Sequence, residues 1–233
     1  MDSGKIFVHP WKRARTTGTY LAVALMGTDR DREIFRRAVD TAHRHVRSDV
    51  EGASGTVHYN AFSVELQKWV GACLIMGPWD YYCKVFGEPD PWTAEQFYRH
   101  ASRMATSLQV PEAAWPPTFA EFWEYWEAGK ARIHIDEPTR RYLDDILDAT
   151  FLPSWARVLD RGFVRWVNTG FLHPEFREAM GLSWTERDER RLRRLLHGVR
   201  LLRRLTPGLL WRFPVHLNIW DVRIRHRLGI RIL

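Results

Sequence analysis

Apolar residues along this chain recur mostly at steps of three and four rather than in alternation, the signature of amphipathic helices. Between residues 35 and 46 the apolar positions are Phe35, Val39, Ala42 and Val46. His43 falls inside that stripe, four residues after Val39 and three before Val46, whereas His45 falls among Arg37, Arg44 and Asp49. Helical residues two apart point roughly 200° away from each other. The pattern therefore turns His43 toward the interior and His45 toward water. Upstream, Pro10 opens a helix that runs to Met26, with Gly27 as its stop. On that helix Arg13, Thr17, Leu21 and Ala24 share a stripe, with Tyr20 beside them. Asp29 is read as the cap of the helix carrying His43, and Asp31 and Glu33 suit its first turn.

Further along, EGASGTVHYN reads as a loop, and Ser63 as the N-cap of VELQKWVGACLIM. Gly77-Pro78 is expected to kink or break that helix before WDYYCKVFG continues it. Helices are predicted at Thr93–Leu108, Thr118–Lys130 and Pro138–Ala149, around Trp155–Asn168, from Glu175, and through the basic run Arg187–Arg204. Pro111, Pro116, Pro117, Pro153 and Pro207 punctuate the boundaries. Short strands are compatible with Arg132–Ile135, but no sheet is predicted. The fold class is all-α, a single-domain helical bundle over residues 1–233.

Composition narrows the function classes. The 233 residues, 45% hydrophobic and 27% charged, suffice for one globular domain with a real core. Twelve tryptophans suggest a core or pocket lined by large flat side chains. No run of about 18 apolar residues offers a membrane span, and MDSGKIFVHPWKR has neither the apolar segment nor the cleavage site of a signal peptide. Cys73 and Cys83 form no CxxC or CxxCH, which excludes zinc ribbons and covalently attached haem. A reduced, cytoplasmic setting is expected.

The net charge of +7 concentrates late, where RDERRLRRLLHGVRLLRR interleaves arginines with Leu192, Leu195, Leu196, Val199 and Leu202. This is a basic amphipathic helix, either the solvated face of a core helix or a weak contact for a membrane surface or acidic partner. Nucleic acid is disfavoured, since no zinc-finger, RRM or KH signature accompanies it. HRH is too short for a zinc pair, and no Walker loop or GxGxxG appears. Asp80, in WDYYCK, reads as a buried or capping polar group. Phe119, Phe122, Trp123 and Trp126, at helical steps, read as core rather than substrate wall.

The ordered set RARTTGTY, AVDTAHRHV, YNAFSVELQKWVGACL and DYY, followed by TSLQVPEAAWP, FREAMGLSW and PVHLNIWDVRIRHR, resembles the MpaB/rubber-oxygenase family, in its actinobacterial branch. The resemblance runs from about Asp2 to Arg227. It implies an all-helical protein that binds haem b without covalent attachment, in a pocket between helices. His43 stands at the family's proximal iron-ligand position. Arg13 and Thr17 match an arginine and a threonine kept near the haem, where a guanidinium pairs naturally with a propionate. The activity implied is a dioxygen-dependent oxygenase of a small apolar or aromatic substrate, an isoprenoid or a secondary metabolite.

There are departures from the family pattern. Gly71 stands where many members have histidine, leaving room for a flat macrocycle or for close helix packing. The family's upstream apolar helix is expected to be absent, Thr16 occupies the position of a distal lysine, and Asp2 is the nearest candidate for the upstream carboxylate. Cleavage of rubber by the family's mechanism is therefore not expected. The alternative readings are a helical binding or scaffold protein that has lost the cofactor, and a basic-helix binder of membrane surfaces or nucleic acid.

Overall fold

The computed structural model describes residues 9–44, 47–52, 55–60, 62–150 and 161–233. Two compact units emerge: residues 14–78, 89–126 and 206–233 form one, and residues 1–13, 79–88 and 127–205 the other. The architecture is all-α, with a single hairpin among the described residues.

Helix α1 spans Pro10–Met26 and buries Thr19, Tyr20, Val23 and Ala24. At Gly27 a Cβ would lie 2.5 Å from the Val23 carbonyl oxygen, so only glycine permits so abrupt a turn. Helix α2, Asp29–His43, starts one residue earlier than expected, and its cap is Thr28 rather than Asp29. Asp31 N donates to Thr28 Oγ1 at 3.3 Å, and Thr28 N donates to Asp31 Oδ2 at 2.8 Å, a reciprocal capping box. Asp29 is instead exposed and paired with Arg32 at 2.6 Å. Tyr20 stacks on Phe35 with ring centroids 5.8 Å apart, fixing α2 beside α1.

Here the structure corrects the sequence. The helix expected to carry both histidines ends at His43, with Arg44 as its C-cap; His45 lies outside the described residues. The supposed loop is part of an antiparallel hairpin, β1 Arg47–Gly52 with β2 Gly55–Asn60, in register from Arg47↔Asn60 to Gly52↔Gly55. Val50, Thr56, Val57 and Tyr59 favour strand, but the glycines at the tip carried the stronger signal.

Helix α3, Val64–Phe86, continues through Pro78, so of the kink or break expected there the break does not occur. Proline removes one backbone hydrogen bond, but Ile75, Met76 and Trp79 around it are buried and hold the segment helical. The helix expected over Thr93–Leu108 divides into α4, Pro91–Ala101, and α5, Arg103–Thr106. At the division Ser102 Oγ donates to the Tyr98 carbonyl (2.8 Å) and accepts from Trp115 Nε1 (3.1 Å), so the side chain competes with the helix. Helix α6, Phe119–Lys130, buries Phe122 and Trp126 while Trp123 stays partly in solvent.

In the other unit, α7 (Glu137–Leu147) is capped by Asp136, and α8 covers Arg161–Phe171. The start expected near Trp155 lies outside the described residues. Helix α9, Pro174–Ala179, precedes the basic helix α10, Glu186–Leu205. Leu192 and Leu196 of α10 form a core with Val85, flanked by Trp166, Phe171 and Trp184. Gly170 lets α8 approach this core, since a Cβ there would fall 2.6 Å from Leu192 Cδ2.

Pro207 marks the boundary expected of it, and beyond it runs a last helix that the sequence reading did not name, α11 at Gly208–Arg227, with Pro214 inside it. It is held on α1 and α2 by polar contacts. Thr19 Oγ1 bonds Asn218 Oδ1 at 2.9 Å, Arg15 meets Asp221 at 3.0 Å, and Arg223 grips Asp31 through Nε–Oδ1 (2.9 Å) and Nη2–Oδ2 (2.7 Å). Asp31 is 3% exposed, and these donors, with Thr28, hold its carboxyl well below the usual carboxylate range.

A group whose folded pKa is depressed stabilises the fold above its unfolded value and loses that contribution as pH falls toward the folded one. The Asp31–Arg223 pair should thus contribute fully above about pH 4 and fade in acid. Arg223→Met should cost about 2–3 kcal/mol at neutral pH, since it leaves a buried carboxylate with only its cap donors. Asp31→Asn should flatten the acid limb of a stability–pH curve, measured by urea unfolding. An unchanged acid limb would show that the pair carries no pH-dependent stability.

Candidate functional site

Of the sequence-predicted residues, Arg13 and Thr17 lie on α1 and His43 lies at the end of α2. Tyr20 and Phe35 stand at similar distances from the Gly27–Thr28 turn, so Thr17, farther from the turn, lies toward the half of α2 that ends in His43. Arg13 is one helical turn before Thr17 on α1. Arg13 and Thr17 are both exposed, whereas His43 is partly buried with its Nδ1 withdrawn from solvent. The interior-facing placement read for His43 is thus realised in part. Between Thr17 and the buried stretch, Gly18 opens the surface further: a Cβ there would meet nothing within 4 Å.

The helix carrying His43 is supported by groups that sequence patterning did not single out. Asp40, one turn before His43, accepts a hydrogen bond from Gln109 Nε2, and Gln67 Nε2 donates in turn to Gln109 Oε1. Arg36 approaches the same carboxylate at 4.0 Å. This relay ties α2 to α3 and to the segment after α5. On α1, burial pushes the Tyr20 hydroxyl up to about 12, and it donates to the Met104 carbonyl. It stays a neutral structural donor at any physiological pH. Each polar side chain is ordinary in isolation; only the fold shows that they meet.

Gly71 has a definite structural role. Its Cβ position would lie 2.6 Å from Ala105 Cβ, 3.2 Å from Ala105 Cα and 3.5 Å from Trp115 Cη2. Of the alternatives of room for a macrocycle or close helix packing, this residue serves packing: α3 touches α5 there almost backbone to backbone. A histidine would not fit without displacing one of them.

The other unit holds a second titratable pair. Asp80 Oδ2 of α3 lies 2.8 Å from His173 Nε2, both side chains being about a fifth exposed. Phe176 meets the His173 ring edge-on at 6.1 Å between centroids. Asp80, read as a buried or capping polar group, is partly buried and paired with His173 instead; its partner, 93 residues on by the difference of the two numbers, had no signal in the sequence.

The described residues thus form an all-α protein with an imidazole at the end of α2 and a guanidinium and a hydroxyl on α1. Residues 1–201 match the family described as ER-bound oxygenase mpaB/B'/Rubber oxygenase, catalytic domain. The chain belongs to that family. Uncharacterised proteins of Mycobacterium bovis and Mycobacterium tuberculosis are each 46% identical to it over 233 residues, covering all of this chain and 90% of theirs. No solved structure matches. Among the described residues no helix is long and apolar enough to cross a membrane.

Close packing at Gly71 has a measurable consequence. Gly71→Ala should lower stability by about 1–3 kcal/mol through overpacking, although alanine is the better helix former by about 1 kcal/mol. Gly77→Ala on the same helix, where a Cβ meets nothing within 4 Å, should be neutral or stabilising. Denaturant unfolding of both variants checks this, and equal effects would discount the contact with Ala105.

Proposed function

We propose that this member of an oxygenase family is a haem b-dependent oxygenase, in which His43 would hold the iron. The observation that carries the reading is His43 itself, a partly buried imidazole in the last turn of α2 with Nδ1 withdrawn from solvent. The donor chemistry around it fits the group. A neutral imidazole is a good donor for haem iron, an arginine fork suits a propionate, and on α1 Thr17 is exposed and a Cβ at Gly18 would meet nothing within 4 Å. When bound, the haem supplies the one-electron and dioxygen chemistry that side chains lack.

The chain's own residues then divide the remaining work. His43 would hold the group from the end of α2, and Arg13 would neutralise a propionate carboxylate. Thr17 offers a hydroxyl one turn away. The relay Gln67–Gln109–Asp40 holds the α2 helix in place beneath the imidazole. The substrate is a small apolar or aromatic molecule, an isoprenoid or secondary metabolite, taken with dioxygen in the cytoplasm. Polyisoprene cleavage is not part of the reading: Thr16, exposed to no more than an intermediate degree, cannot replace a distal lysine as a proton donor.

Protein expressed with a haem precursor should show a Soret band from one haem per chain. His43→Ala should abolish or strongly shift that band, while His45→Ala leaves it unchanged. Arg13→Ala should lower haem retention more than Thr17→Ala, since a charged contact is worth about twice a neutral one. A His43→Ala variant with wild-type haem content and spectrum would remove His43 as ligand. Apoprotein that takes up no haem would instead favour a helical binding protein.

A second expected outcome concerns chemistry. Ferrous protein should consume dioxygen with members of a terpenoid and polyketide panel but release no oligo-isoprenoid aldehydes from latex. Oxygen uptake and product masses decide this, and aldehydes formed at a clear rate would restore the rubber-cleaving reading.

A further inference from the structure

Helix α11 has two faces of different fate. One, with Ile219 and Val222 buried and Asn218, Asp221 and Arg223 bonded to α1 and α2, belongs to the core. On the other, Leu210, Phe213, Leu217, Trp220 and Ile224 succeed one another at steps of three and four residues and stay between 44% and 62% exposed. At 100° per residue they form one continuous stripe about 21 Å long. Single exposed apolar residues are unremarkable, but a contiguous stripe of leucine, isoleucine, phenylalanine and tryptophan marks an interaction surface.

Charge selects what covers it. From Gly208 to the C-terminus Arg212, Arg223, Arg225, Arg227 and Arg231 are opposed by one acidic side chain, Asp221. Arg223 and Arg225 are bound to Asp31 and Asp221. Arg212, Arg227 and Arg231 are exposed. Two copies of this surface would bring like charges together, while a layer of lipid phosphates would neutralise them. Tryptophan and phenylalanine within an apolar face, with arginines whose stems reach past it to phosphate depth, is the composition of an interfacial helix.

We propose that the outer face of α11 docks the protein on an anionic phospholipid surface. The stripe enters the boundary between headgroups and acyl chains, and Arg212, Arg227 and Arg231 meet the phosphates. For the arginine run in α10 a weak membrane contact was only the alternative to a solvated face; the stripe belongs to α11, which lies beyond the residues 1–201 that carry the family match. It stands independently of haem binding.

The test is co-sedimentation of the full chain with vesicles of phosphatidylcholine, with and without phosphatidylglycerol. Anionic vesicles should bind it at least about tenfold more tightly than neutral ones. The preference should shrink as salt shortens the screening length from about 10 Å to about 3 Å. Leu217→Gln/Trp220→Gln and, separately, Arg212→Gln/Arg227→Gln should each weaken binding about tenfold, with melting temperature and circular dichroism unchanged. No binding, equal binding to neutral vesicles, or wild-type binding by either double variant overturns the proposal. So does a lipid-free dimer that Leu217→Gln/Trp220→Gln dissolves, which would make the stripe a contact between copies.

Discussion

The Asp31 carboxylate does two jobs with the same pair of oxygens. Oδ2 accepts from the backbone and hydroxyl of Thr28 and from Arg223, while Oδ1 accepts from Arg223 Nε. One side chain therefore starts α2 and ties α11 to it. A carboxylate offers about four acceptor sites, and four hydrogen bonds converge on this one. Because the capping box fixes where α2 begins, it also fixes which residues the helix presents along its length, out to His43. Local capping and tertiary attachment are coupled at a single buried charge, and the placement of the candidate ligand follows from both.

Helix periodicity was legible wherever apolar residues face a core. The stripe through Phe35 and Val39 is buried as its spacing implies, and Phe122 and Trp126 fill the core from α6. What escaped the sequence were features decided by context. Pro78 and Pro214 both sit inside helices, because neighbouring side chains are buried or bonded strongly enough to outweigh one missing backbone donor. Thr28 capped α2 in place of Asp29 because Asp31, three residues on, could return the bond. The hairpin after His43 was hidden by glycines at its tip.

The candidate site shows the same division. The stripe turned His43 inward, and it became the candidate ligand only through the family resemblance carried by the ordered stretches around it. The support beneath it could not, since Asp40, Gln67 and Gln109 come from three parts of the chain and have no common spacing. Gly71 illustrates the point in reverse. Its role in the sequence was ambiguous between an opening and a contact, and the 2.6 Å approach of Ala105 settles it as a contact.

The aromatic content has a consequence of its own. Trp69 of α3 and Trp126 of α6 lie 5.0 Å apart with their planes only 12° from parallel. Packed face to face, the two indoles hold each other in one fixed, asymmetric setting, and aromatic rings held in that way give near-ultraviolet circular dichroism. The union of α3 with α6 is thereby one contributor to that band among the twelve tryptophans of the chain. A chain that kept its helices but lost this contact would show a weaker aromatic signal.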